Sequence, residues 1–216
     1  GKCLFHDAVP SGHLALCAAN LPDLTISPAQ STQADDHFNT VLYTSDNIGA
    51  GGTQNVTGVG FQPDWVWLKN RDSGSTSHTL YDSNRGTGRH ISSDSSSAEV
   101  GLNSIYGYLS AFGVDGYTLT GGTSNANYVN QGTDKYVSWN WKANGGTTSS
   151  NTDGSITSTV QANTTAGFSI VTYTGNGTQS ATVGHGLGAK PKFVLVKSRS
   201  EAQNWHVYHE EIDASA

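Results

Sequence analysis

Methionine is absent from the 216 residues, and cysteine, proline and charge are all scarce. Asp, Glu, Lys and Arg together make up 13% of the chain, where a quarter is usual. With 11 basic against 17 acidic residues, a net charge of −6 and no Lys/Arg cluster, the chain lacks the electrostatic footprint that nucleic acid or an anionic membrane selects. No run approaches the roughly 20 apolar residues of a membrane helix, so membrane insertion is not expected. No basic segment followed by an apolar run opens the chain as a secretory leader would. Gly1 comes first and no Met follows, so the natural initiator is missing, through processing or truncation, and whether the chain is a fragment of a longer polypeptide is left open. What is abundant is small and neutral: 26 Gly, 26 Ser and 24 Thr. The apolar share, 35% with 5 Trp, 9 Tyr and 6 Phe, builds a thin core of the aromatic and β-branched residues that suit pleated sheets. This predicts an all-β chain of antiparallel sandwich modules with little helix.

The two cysteines, Cys3 and Cys17, allow two readings. A disulfide between them would close a loop worth about 3 kcal/mol in the chain-entropy model; alternatively both are small buried hydrophobes. Zinc is disfavoured, because His6 and His13 do not supply the close-paired ligand spacing of structural sites.

An internal duplication organises the rest. Phe38-Asn39-Thr40-Val41-Leu42-Tyr43-Thr44 is echoed by Phe168-Ser169-Ile170-Val171-Thr172-Tyr173-Thr174. Pro63-Asp64-Trp65-Val66-Trp67-Leu68-Lys69-Asn70-Arg71 is echoed by Pro191-Lys192-Phe193-Val194-Leu195-Val196-Lys197-Ser198-Arg199. The spacings agree: Phe38 to Pro63 is 25 positions and Phe168 to Pro191 is 23, and a tyrosine follows each proline, Tyr81 after 18 and Tyr208 after 17. The expected organisation is an N-terminal segment (1–34), a first sandwich module (35–143), a Gly/Ser/Thr/Asn-rich linker (144–166) and the start of a second copy (167–216). That second copy has no counterpart of Ile91–Trp141, which leaves strand edges to be covered by sister chains or by further sequence.

Alternation identifies strands. Trp65 and Trp67 face one way and Val66 and Leu68 the other, which predicts a central strand covered on both faces, with both tryptophans in the core; Phe193–Val196 repeats the pattern. Val137, Trp139 and Trp141 alternate with Tyr136, Ser138 and Asn140, as in a strand with one face on a core. Leu102, Ile105, Leu109 and Phe112 have near-helical spacing, weakened by Gly101 and Gly107, and Asp115-Gly116 signals a turn into a strand at Tyr117.

Most motifs read as ordinary structure. Gly184-His185-Gly186-Leu187-Gly188 lacks the Lys-Ser/Thr of a nucleotide loop, so it is read as a turn and no cofactor is expected. His206 and His209, three apart in a strand, point to opposite faces and cannot share a metal. Asp82-Ser83-Asn84-Arg85-Gly86 lacks the alternate acids and closing Glu of a calcium loop. Asn55, Asn163 and Asn176 open N-x-Thr sequences at the rate such a composition produces by chance. No nucleophile elbow or paired-carboxylate motif is present, so no catalytic residue is assigned. Trp139, Trp141 and Trp205 are the candidate ligand-binding residues, as aromatic platforms for a sugar ring.

The stretches Gly60–Arg71, Ser77–Gly86, Asp115–Leu119 and Tyr136–Ala143 together resemble a repeat module of virion fibre-like proteins from marine tailed phages, cyanophages especially; the likeness spans roughly Phe38 to Tyr208. Pro10–Cys17 with Asn20-Leu21-Pro22 is similar to the closing strand of a SPRY-like β-sandwich. The resemblance implies jelly-roll or lectin-like sandwiches in series. It further implies an extracellular, virion-borne, non-enzymatic protein of a tail fibre or appendage, assembled with other virion proteins as a homo-oligomer, a trimer being one option, and presented to a bacterial surface glycan. Capsid decoration, a structural filament and a carbohydrate-binding or depolymerase module remain alternatives.

Overall fold

The computed structural model describes residues 32–124 and 128–213. Cys3 and Cys17, the candidate disulfide between them and nearly all of the 1–34 segment lie outside the described residues. The chain is nearly all β, 38% strand and 3% helix. Its first seven strands are β1 (Phe38–Thr44), β2 (Thr53–Thr57), β3 (Trp65–Asn70), β4 (Thr79–Asp82), β5 (Tyr108–Gly113), β6 (Gly116–Thr120) and β7 (Lys135–Trp141). They form two antiparallel sheets, ordered β1-β7-β3-β4 and β2-β6-β5. Between these sheets lies the main core: Val66, Leu68, Tyr81 and Tyr136 from one, Val56, Leu109, Tyr117 and Leu119 from the other.

The near-helical spacing of Leu109 and Phe112 turns out to belong to a strand. A bulge between Leu109 and Ala111 adds one residue to β5, so Leu109 opposes Leu119 while Phe112 opposes Tyr117. Positions three apart thereby share a face, which imitates a helical period. The β5–β6 hairpin turns through Val114-Asp115, with Gly116 at φ 149°; a Cβ there would lie 2.0 Å from the Val56 carbonyl oxygen. Asp115 holds the adjoining loop by accepting from the Gly58 and Gly60 amides.

Residues 144–166, expected as a linker, contain β8 (Ser149–Asn151) and β9 (Ser158–Asn163). Together with β10 (Phe168–Tyr173) they form a sheet ordered β10-β9-β8. Small polar residues concealed these strands from a reading based on apolar anchors. The chain continues into a hairpin of β11 (Phe193–Val196) and β12 (His206–His209). The duplication is exact in pairing: Trp65, Val66 and Trp67 oppose Asp82, Tyr81 and Leu80, and Phe193, Val194 and Leu195 oppose His209, Tyr208 and Val207.

The copies differ in coverage. Strand β11 pairs with β12 alone among the described residues, and Phe193 is 55% exposed. The expectation of double coverage fails here because the strand corresponding to β7, and the facing sheet, have no counterpart in residues 167–216. In the first copy, β7 packs the opposite way from its apolar alternation. Tyr136, Ser138 and Asn140 point into the core, and Val137, Trp139 and Trp141 point out, half-buried. Most of the inward polar atoms are bonded: Asn140 Nδ2 donates to Asn39 O and Ser138 Oγ, and the Tyr136 hydroxyl accepts from the Gln131 amide and Asn70 Nδ2, while Asn140 Oδ1 is buried without a donor. Trp65 and Trp67 likewise lie on the outer face, half-buried, instead of in the core between the sheets.

Burial raises the Tyr81 and Tyr117 hydroxyls well above their ordinary pKa of 10.0. An acid whose folded pKa is raised contributes fully below its unfolded pKa and loses that contribution as pH climbs past it. Stability is therefore expected to stay level in this respect up to about pH 10 and to fall above it. A pH series of denaturant melts, with tyrosinate absorbance followed alongside, checks this; free titration of these two tyrosines in the folded protein contradicts it.

Candidate functional site

Strand alternation in β1, β7 and β3 places an aromatic field on the outer face of the four-stranded sheet. Pairing sets Phe38, Trp141 and Trp65 in one row across the strands, and Thr40, Trp139 and Trp67 in the next. The rings meet across the strands: Phe38 to Trp141 at 4.8 Å, Trp65 to Trp141 at 6.0 Å, and Trp67 edge-on to Trp139 at 6.0 Å.

The second copy divides this field. Phe168, the first residue of β10, packs on Trp65 at 5.8 Å and on Trp141 at 6.3 Å, and the Trp65 indole N–H is buried there without an acceptor. The Trp67–Trp139 end is left uncovered. Beside it Leu42 is 61% exposed and Thr40 is exposed. Trp67 Nε1 donates to His78 Nδ1 at 2.9 Å, which places the neutral ring's proton on Nε2. Burial lowers the His78 pKa from its ordinary 6.5, with Lys69 acting in the same direction and Asp94 against it. The Lys69 ammonium is already engaged by the Ser73 and Thr76 carbonyls.

The joint that sets Phe168 in place is built on Asp64, a fully buried carboxylate. Its Oδ2 accepts from the Ala143 and Gly145 amides, both at 2.8 Å, and its Oδ1 from the Gly146 amide and Ser83 Oγ, both at 2.7 Å. Gly146, at φ 79°, also donates to Gln161, whose amide nitrogen returns to Ser83 Oγ. Alongside, Asn163 Nδ2 donates to the Lys142 carbonyl and Asn84 Nδ2 to the Thr159 carbonyl. In the second copy Lys192 stands where Asp64 does in the first; it is exposed and pairs with Glu210 at 3.4 Å.

A second clamp closes the far side. Glu99, 7% exposed at its side chain, takes a two-pronged contact from Arg199, both bonds 2.9 Å, and one from Arg85 at 3.1 Å. Arg199 is the arginine of the repeated motif, so the second copy adds its cation to a first-copy carboxylate that Arg85 and Arg89 of the first copy also pair. Lys197 Nζ donates to the Ser96 carbonyl and Trp205 Nε1 to the Ser92 carbonyl on the same side.

Of the candidate ligand residues, the structure brings Trp139 and Trp141 together with Trp65 and Trp67, and separates Trp205 as a strut between the copies. Asp82-Ser83-Asn84-Arg85-Gly86 is a turn closed on itself: Asp82 accepts from the Arg85 amide and pairs with its guanidinium. Among the described residues no three His, Cys, Asp or Glu side chains converge as a metal site. Gly184, Gly186 and Gly188 line a shallow depression of about 360 Å³ that none of the tryptophans lines. Sequence reasoning passed over Asp64, Glu99 and Arg199. For Arg199 a signal existed, the Lys-x-Arg ending of both repeats; a buried carboxylate among scattered acids carried none.

These features define an all-β protein whose two copies of one strand pattern are locked through buried charge. The chain belongs to the family described as Domain of unknown function (DUF7483), whose profile matches residues 33–216 and so runs through both copies and the joint. No curated protein and no solved structure matches it.

Replacing Asp64 with Ala strands the Ala143 and Gly145 amides and removes one acceptor from the Gly146 amide and the Ser83 hydroxyl, and is expected to cost about 2–4 kcal/mol. Denaturant unfolding of Asp64→Ala measures the loss, and a change below about 0.5 kcal/mol would show the joint to be independent of this carboxylate. For Glu99, burial raises the pKa, but hydrogen bonds from Arg199 and Arg85 outweigh it and hold the group at about 2, below the ordinary 4.5. A depressed acid contributes above its unfolded pKa and loses that contribution as pH falls through the folded one. Stability is thus expected to drop between pH 4.5 and about 2, with a smaller drop in Arg199→Ala. Acid titrations of the two proteins, monitored by tryptophan fluorescence, compare them.

Proposed function

We propose that the chain is a non-enzymatic structural protein of a phage virion, part of a tail fibre or similar extracellular appendage used in adsorption to the host surface and assembled as a symmetric homo-oligomer. The observation that carries this reading is the joint. Two β units of one design are coupled at two separate places, by Asp64 and by Glu99–Arg199, with strands where a flexible linker would otherwise run. A fibre has to transmit orientation from one unit to the next, and coupling of this kind removes the hinge. The likeness of residues 38–208 to fibre repeat modules supports the same assignment, as does a surface rich in Ser, Thr, Asn and Gly.

Capsid decoration and filament formation draw on the same joint. The uncovered end of the aromatic field favours adsorption over both, because a purely architectural unit gains nothing from exposed Leu42 beside half-buried indoles. Electron cryomicroscopy of the native particle tests the reading. The expected result is density for this chain in a symmetric oligomer projecting from the tail. Density tiling the shell would replace adsorption by a scaffolding role, and absence from the particle would remove the virion assignment.

A further inference from the structure

We propose that the uncovered end of the aromatic field, between Trp139, Trp67 and His78, is a binding platform for an uncharged sugar ring. This rests on the adsorption reading and gives it a ligand class and a place.

Trp139 has Thr40, a small side chain, on one side and Trp67 edge-on at the other, so the flank of its indole towards β1 carries no aromatic neighbour. Pyranose rings present a face of polarised C–H groups, and an indole face is the electron-rich surface such groups seek. Polar donors stand at the rim. Trp67 spends its N–H on His78, which leaves the His78 Nε2–H for an external acceptor; neither this group nor the Trp139 N–H has a protein acceptor among the described residues. A hydroxyl-bearing ligand both accepts such bonds and donates in return.

Charge selects the ligand. Lys69, two positions along β3 from Trp67, is occupied by two carbonyls. Further along β7, Lys135 lies 4.0 Å from the Asp72 carboxylate. The platform therefore offers stacking and hydrogen bonding without a free counter-charge, which suits a neutral hexose or N-acetylhexosamine over a uronic or sialic acid. The other end of the field is unsuited to any ligand, since Phe168 occupies it.

The test uses the whole 216-residue chain with three probes: maltotriose, N-acetylchitotriose and a trigalacturonate of similar size. Saturation-transfer NMR and tryptophan quenching are expected to report binding of at least one neutral trisaccharide and none of the acidic one. Trp139→Ala is expected to weaken that binding by about tenfold, a loss in the range of one aromatic contact. Trp139→Phe keeps a ring and a folded sheet, and is expected to retain most of the affinity; Trp205→Ala is expected to leave it unchanged. Thermal melts of each variant establish that it is folded.

Preference for the acidic sugar, equal loss in Trp205→Ala, or no binding of either neutral probe overturns the proposal. So does a dimer in sedimentation that Leu42→Glu dissociates, which would assign this face to a second copy of the chain. Particle microscopy separates the two levels of failure: a chain seen on the tail that binds no neutral sugar refutes the platform and leaves the fibre assignment standing.

Discussion

A carboxylate without solvent contact organises the molecule. Removing Asp64 from water is unfavourable, and the cost is met only because three backbone amides and a serine hydroxyl converge on it. Those amides belong to residues 143–146, the exit from β7, so the constraint fixes the direction in which the chain leaves the first sandwich. Everything from β8 onward inherits that direction: Gln161 is drawn against Ser83 and Phe168 is set on the two tryptophans. The position of an aromatic ring is thus decided by where a negative charge can be buried.

The first copy shows how a thin apolar supply is made to suffice. Two sheets share a core in which tyrosines supply much of the bulk, and their hydroxyls, with Ser138 and Asn140, bring polarity to the centre of the sandwich. Some of that polarity is bonded, as at the Tyr136 hydroxyl, and some, as at the Tyr81 and Tyr117 hydroxyls, is buried without a hydrogen-bond partner. The tryptophans, the largest apolar side chains available, are placed outside it. Sheets of this type ordinarily present a polar outer face to solvent; here the outer face is aromatic, and the second copy consumes half of it.

Much of this was legible in the sequence. The duplication, the all-β class, the strands at Trp65–Asn70 and Lys135–Trp141 and the Asp115-Gly116 turn follow from periodicity and spacing. Three things did not. The facing of β7 was hidden because its inward residues, Ser138 and Asn140, are polar and bond to each other and to the Asn39 carbonyl across the sheet. Strands β8 and β9 were hidden because Ser, Thr and Asn pair their backbones without an apolar signature. The identity of the residues that lock the copies was hidden because burial of an acid is a property of the assembled joint: nothing local separates Asp64 from Asp72, or Glu99 from Glu201. As for the candidate site, periodicity put Trp139 and Trp141 on one face, but only pairing across strands added Trp65 and Trp67 and moved Trp205 elsewhere.

The exchange of Asp64 for Lys192 gives the duplication a polarity. At equivalent positions the first copy offers lone pairs and the second offers protons, so a chain segment that seats on one by its amides is repelled by the other. The two units are consequently not interchangeable links. Only the first can fix the chain that leaves it in this way, so the direction set at Asp64 is not repeated at Lys192.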